Sequence, residues 1–222
     1  MAFKLQTLRR WGRLASRAFV VASLVLALGF GAWVGVREFA ANRLETAALW
    51  AAGGLDAEPS VTAALRLCGP VCPARAYEAA SEAYVQLARR SSGHERAVLL
   101  AHARNMAEQG LARSPLSAEG WARLALIHAQ EAGGRATPAA IEALKRSYAA
   151  APYSRGSAKW RIAFCAAHWG EVTPALRAAA LAEMTWLGKL NGGEAYDFIT
   201  QIDDPFIRQL FEIRVLPPPP QD

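Results

Sequence analysis

Between Arg17 and Arg37 the chain runs for 19 residues, Ala18 to Val36, without a charged side chain. At 1.5 Å rise per residue a helix over this stretch is about 28 Å long, close to the ~30 Å hydrocarbon core of a bilayer. A backbone in lipid must satisfy its own hydrogen bonds, so such a segment is helical. Ser23 is the only polar residue in it, and a serine hydroxyl can bond back to the preceding turn. The stretch therefore reads as a transmembrane helix over residues 18–36. A cleaved signal peptide is the competing reading. It calls for a shorter apolar region followed by a small-x-small cleavage site. Here the tripeptides that follow, Glu38-Phe39-Ala40 and Phe39-Ala40-Ala41, begin with a charged or bulky residue. An uncleaved anchor is the better match.

Charge sets the expected orientation. Lys4, Arg9, Arg10, Arg13 and Arg17 precede the apolar stretch and no acid occurs before Glu38. The positive-inside rule then makes residues 1–17 a basic cytosolic tail and puts the remainder on the far side. Trp33 falls near the outer interface, where an indole is comfortable. The chain as a whole carries 25 Lys+Arg against 19 Asp+Glu; setting aside the five tail bases leaves 20 basic and 19 acidic residues. The main domain is thus nearly neutral, which argues against nucleic-acid binding. Within the apolar stretch Ser23, Ala27, Gly31 and Gly35 recur every four residues. That face lets helices approach closely, with a second copy of the chain or with a polytopic partner. Glycine is also simply common in membrane helices.

Beyond the anchor the patterning is all-α. Residues 37–73 read as a juxtamembrane helical connector: the anchor helix continues to Gly53-Gly54, a short helix covers about 60–67, and Cys68-Gly69-Pro70-Val71-Cys72-Pro73 breaks it. Helices follow over about 74–90, from a Ser92-x-x-Glu95 capping box to Arg113, from Ser117 to Ala132, from Thr137-Pro138 towards Pro152, over 157–169, from Thr173-Pro174 to about Gly188, and from Asp204-Pro205 to Val215. Residues 217–222 form a proline-rich tail.

The spacing of apolar and small residues carries a repeat. Trp121, Leu124, Ala125 and His128 are followed by Ala140, Leu144 and Pro152; Tyr77 and Tyr84 are followed by Ala103, Ala107 and Pro115. Each second helix has its alanine twelve residues before its proline. The pattern resembles the tetratricopeptide repeat, Trp-x2-Leu-Gly-x2-Tyr, then Ala-x3-Phe, then Pro. Pro115 and Pro152 are 37 residues apart, against about 34 in the ideal repeat. A third unit, opening at Trp160, is degenerate: Phe164 takes the small slot and no proline closes it. The resemblance implies helical hairpins stacked as an α-solenoid over residues 74–216, with a groove for peptides or helices of other proteins. An irregular helical bundle is the plainer alternative. Tyr153, Trp169 and Trp186 are expected in the core.

A second resemblance rests on Trp-Ala-Arg-Leu-Ala-Leu from Trp121, Ser147 to Tyr153, and Trp160-Arg161-Ile162-Ala163. These stretches are similar to small membrane-anchored helical-repeat proteins of proteobacteria that accompany exopolysaccharide or O-antigen polymerisation systems. That resemblance implies a bacterial inner-membrane protein whose C-terminal domain is periplasmic and which serves as a non-enzymatic accessory to polysaccharide assembly. A subunit or assembly factor of another inner-membrane complex, for cytochrome maturation or cell division, stays open beside it.

Little in the chain suggests catalysis. His94, His102, His128 and His168 are scattered without metal-ligand spacing, and no phosphate, dinucleotide or nucleophile-elbow fingerprint occurs. No cofactor or metal is expected. Cys68 and Cys72, in a Gly/Pro turn, are expected to pair as a disulfide in an oxidising compartment. A thiol-active accessory enzyme is the competing reading, and Val71 breaks the Cys-Gly-Pro-Cys spacing it needs. Cys165 lies among Ile162, Phe164 and Ala166 and reads as a buried thiol.

Overall fold

The computed structural model describes residues 2–69 and 72–215; side chains before Phe19 are outside that description, as are Pro70, Val71 and the proline-rich tail. Among the described residues the chain is all-helical, with ten helices and no strand. The first, α1 (Ala2–Ala52), is unbroken over 51 residues, about 77 Å. The segment Phe19–Ala52 within it is long and apolar enough to cross a membrane. Its two halves meet different surroundings. From Phe19 to Phe39 the large apolar side chains are exposed, whereas Ala40, Ala41, Leu44, Ala47 and Ala51 are fully buried. Helical spacing gathers those five on one side.

That side packs on α2 (Glu58–Cys68) and α3 (Ala74–Ala88). The partner face of α3 includes Ala76, Ala80 and Ala83, all fully buried. Alanine on both faces lets the helices run close, and it is also the residue that favours helix most. Arg75 donates to Glu38 and, at 2.6 Å, to Glu45. Arg90, just past α3, donates to the Ala52 carbonyl at 2.9 Å. So α3 runs parallel to the last turns of α1, and the stretch after Phe39 forms the first layer of the helical domain.

Successive hairpins follow. In the first, α3 pairs antiparallel with α4 (Gly93–Arg113): Ser81 donates to the Ala103 carbonyl, and the Arg113 guanidinium lies 4.2 Å from the Tyr77 ring centroid. The second pairs α5 (Ala118–Glu131) with α6 (Pro138–Ala150), where Ser147 donates to the Ala118 carbonyl at 2.7 Å. The third pairs α7 (Ala158–Ala167) with α8 (Pro174–Leu190). Two short helices, α9 (Gly192–Ile199) and α10 (Pro205–Val215), close the stack. A Cβ added to Gly188 would stand 2.7 Å from Val215 Cγ1, so α10 returns along α8 with its end at the end of α8.

Several helix starts follow the capping chemistry, while α2, α3, α4 and α7 begin without a side-chain cap bond. Ser117, Thr137 and Thr173 accept from the amides of Gly120, Ala140 and Leu176, and Asp204 accepts from those of Phe206 and Ile207. Ser92 stands at the start of α4 without a side-chain cap bond. The following Gly93 takes φ +55, a left-handed conformation. Helix α9 has no counterpart in the sequence expectation; Asn191 opens it by accepting from the Glu194 amide at 3.2 Å. Tyr153 also departs from expectation. It is exposed, its ring 5.6 Å from the partly buried Trp186.

Candidate functional site

The predicted packing face of the apolar helix is open. Ser23, Ala27, Gly31 and Gly35 are all exposed, and a Cβ built on Gly31 or Gly35 would meet nothing within 4 Å. They lie on the part of α1 that stands clear of the domain, away from every repeat residue.

Cys68 and Cys72 are joined as a disulfide with Cα atoms 5.3 Å apart, both buried, between α2 and α3. The bridge clips the turn that returns the chain to the base of α3. Among the described residues no group of three or more His, Cys, Asp or Glu is placed to hold a metal ion.

The repeat residues fall into two sets, one per hairpin. Tyr77 and Tyr84 on α3 are buried with Ala103 and Ala107 on α4, and the Tyr84 ring stacks on His102 at 5.3 Å. Leu124 and Ala125 on α5 are buried with Ala140 and Leu144 on α6. Pro115 and Pro152 occupy the connections after α4 and α6 and are exposed. Trp121 is only half-buried. Its indole donates to the Pro115 carbonyl at 2.8 Å, and the Arg146 guanidinium lies 4.8 Å from its ring. His128 points to Glu131 at 3.4 Å.

Two clefts lie along the first helices of the hairpins. A small one of about 110 Å³ is lined by Glu82, Glu119, Arg123 and Trp160 from α3, α5 and α7. Within it Arg123 donates to Glu82 at 3.2 Å, and beside it Ser117 donates to Glu78 at 2.7 Å. A larger one, about 530 Å³, lies between α7 and α9, lined by Ala163, Ala166, Trp169, Phe198, Ile202 and Asp203.

The most constrained chemistry sits between the second and third hairpins. Arg161 of α7 and Glu183 of α8 form an ion pair with both side chains 0% exposed. The guanidinium binds both carboxylate oxygens, Nε at 3.1 Å from Oε2 and Nη2 on Oε1. It also donates from Nη1 to Ser147 Oγ at 3.2 Å and to the Ala151 carbonyl at 2.9 Å, and from Nη2 to the Pro152 carbonyl at 3.4 Å. Those carbonyls lie at the end of α6, where helix geometry leaves acceptors without intrahelical partners. The Tyr148 ring lies 4.2 Å from the Arg161 guanidinium carbon. One arginine thus ties α6, α7 and α8 together. Sequence reading passed over it, yet a signal was there. Arg161 shares the buried face of Ala158, Ile162 and Cys165, and Glu183 stands among Leu176, Ala180 and Leu187. A lone charge on each of two successive apolar helix faces points to a buried pair.

Cys165 sits in the same interior, its sulfur 4.0 Å from the Leu176 carbonyl. Burial, reinforced by the Glu183 charge, pushes its thiol from 9.0 up to about 12. The Tyr148 hydroxyl is pushed up as well, again mainly by burial. Folded-state values above the unfolded ones mean that the neutral groups contribute stability below about pH 9 and that this is lost as pH rises through about 12. Thermal melts across that alkaline window are expected to show a falling midpoint, with a shallower fall in Cys165→Ala. An identical slope in the variant would remove the thiol from the account.

The described chain is therefore an all-helical hairpin protein carried on a long, largely apolar N-terminal helix. Comparison with known proteins finds no matching family, no matching curated protein and no matching solved structure.

Proposed function

We propose that the chain is a non-enzymatic accessory protein of a bacterial inner membrane, anchored by α1 with its N-terminus in the cytosol and its helical domain in the periplasm. There it serves as a scaffold for a complex that polymerises or exports cell-surface polysaccharide. The observation that carries this reading is the division of α1 at Phe39. The half before it exposes a continuous apolar surface, about 27 Å over residues 19–36, which water does not tolerate and lipid does. The half after it is the first layer of the domain. Trp33, with the Arg37 guanidinium 4.4 Å from its ring, marks the outer interface.

The domain acts as a tetratricopeptide-like solenoid. Support comes from the two hairpins that carry the Tyr77 and Trp121 signatures, each with alanines at its helix contact, and from the α7–α9 cleft, of a size to hold a partner's side chains. The polysaccharide assignment rests on the sequence resemblance.

Alkaline phosphatase joined after Asp222 is expected to be active and a cytosolic fluorescent protein at the same place dark. The opposite pattern would sink the orientation. A deletion strain with unaltered surface polysaccharide would remove the pathway and leave an anchored binding module.

A further inference from the structure

We infer that the helical domain rests one edge on the outer face of the bilayer, with the connections that enter α3, α5, α7 and α9 dipping into an anionic lipid surface. This rests on the anchoring reading above. The argument starts from helix direction. Helix α3 runs parallel to α1, since Arg75 meets Glu38 and Arg90 meets Ala52. Helix α5 runs parallel to α3, since Ser117 meets Glu78 and Arg123 meets Glu82. The start of α7 meets the start of α5 where Ser154 lies 3.5 Å from Glu119, and the start of α9 meets α7 where Lys159 pairs with Glu194 at 2.7 Å. Odd-numbered helices up to α9 therefore lead away from the apolar half of α1, and α2, α4, α6 and α8 return towards it. Four connections share the end at which α1 enters the domain.

Each of those four carries a large apolar side chain in water. They are Leu67 in the last turn of α2, Leu116 between α4 and α5, Tyr153 between α6 and α7, and Leu190 at the end of α8; Leu116 is 81% exposed. All four of these connections lie on one end, so their apolar side chains share one edge of the domain. Exposed bases accompany three of them: Arg66 beside Leu67, Arg155 near Tyr153, and Lys189 beside Leu190. No acidic residue occurs in residues 69–73, 114–117, 151–157 or 191; the acids nearest these connections, Glu119 and Glu194 in the first turns of α5 and α9, are engaged by Ser154 and Lys159.

The opposite end differs in charge. It does expose apolar surface, with Leu49, Trp50 and Leu55 at one corner and Phe206 at another. There Asp56, Glu58, Asp203 and Asp204 stand exposed beside the apolar residues themselves, while the exposed bases of that end, Arg89, Arg90 and Arg135, lie in connections that carry none of these apolar residues. Apolar tips flanked by bases at the membrane end match the interfacial region of a bilayer, where apolar groups reach the acyl boundary and Lys and Arg meet phosphates. Lipid is the occupant because α1 enters the domain at this end, so a bilayer crossed by its apolar half lies against these connections before any other partner arrives.

The test uses the full chain in phosphatidylcholine vesicles with and without phosphatidylglycerol. An environment-sensitive fluorophore is placed on Leu116→Cys, Leu190→Cys, Arg135→Cys or Phe30→Cys, and spin-labelled lipid is the quencher. Cys68 and Cys72 are bonded and Cys165 is buried, so background labelling is low. The expected result is quenching at residues 116 and 190, stronger with phosphatidylglycerol, and none at residue 135, which lies at the opposite end. Lys189→Gln is expected to reduce the lipid-apposed population at residue 116 by roughly fivefold in anionic vesicles. Quenching at residues 116 and 190 no greater than at 135 overturns the proposal and leaves this edge to a protein partner. The residue-30 label separates the two readings: quenching there without quenching at 116 sinks only the apposition, and no quenching at 30 sinks the anchor itself.

Discussion

Glu183→Ala is expected to destabilise the protein by about 3–5 kcal/mol, a large share of the ~5–15 kcal/mol that holds an ordinary domain together. The cost comes from what is left behind. The Arg161 guanidinium is a fully buried positive charge. Without the carboxylate it keeps hydrogen bonds to the end of α6 but has no counter-charge. Arg161→Met is expected to be comparably harmful, because it strands Glu183 and frees the carbonyls of Ala151 and Pro152. Replacing both, Arg161→Met with Glu183→Leu, is expected to cost much less than either alone, since an apolar pair of similar volume carries no desolvation penalty. Urea denaturation of the four proteins, read by circular dichroism, gives the coupling directly. Additive losses would show that the two side chains act independently and that the buried pair is not the tie between the hairpins.

Truncation within α1 is expected to have the other large effect, with the outcome depending on where the cut falls. A chain beginning at Arg37 keeps Ala40, Ala41, Leu44, Ala47 and Ala51, and is expected to fold as a water-soluble domain. A chain beginning at Leu55 loses all five. Removing Leu44 alone corresponds to about 2–5 kcal/mol, and each buried alanine methyl adds about 0.8 kcal/mol. The alanine face of α3 is then open to water. The combined loss is comparable to the whole stability of such a domain, so the shorter chain is expected to aggregate or to lack a cooperative melt. A shorter chain that melts cooperatively at the same temperature as the longer one would show that α1 is not part of the domain.

Much of the helical order was legible before any coordinates. Thr137-Pro138 and Thr173-Pro174 begin helices because a hydroxyl before proline satisfies an amide that the helix cannot. The long apolar stretch could only be helical. Packing was harder to read. The stripe Ala40, Leu44, Ala47 and Ala48 marks an apolar face in the sequence, but small residues on a helix do not say which neighbour they meet. Residues 37–73 therefore read as a connector, and within them the face of Ala40, Leu44 and Ala47 lies on α3. Helix α9 escaped notice because Gly192-Gly193 lowers helix propensity. A capping asparagine and the burial of Ala195 and Ile199 against the rest of the stack outweigh that cost. The Arg161–Glu183 pair escaped because each charge was seen only against its own helix. The interaction joins residues 22 apart, and nothing local in either segment announces the partner.

The absence of a break in α1 has a mechanical consequence. If α1 spans a membrane as proposed, the domain is welded to its spar, with no linker that could swivel. A spanning helix leans by ~20° on average, and the stretch of α1 past Ala40 is ~20 Å long. The far end of the domain's first layer is then carried sideways by ~7 Å relative to an upright spar, and the other hairpins swing with it. Lean depends on bilayer thickness, so a thinner or thicker membrane would re-aim the α7–α9 cleft without altering any contact inside the domain.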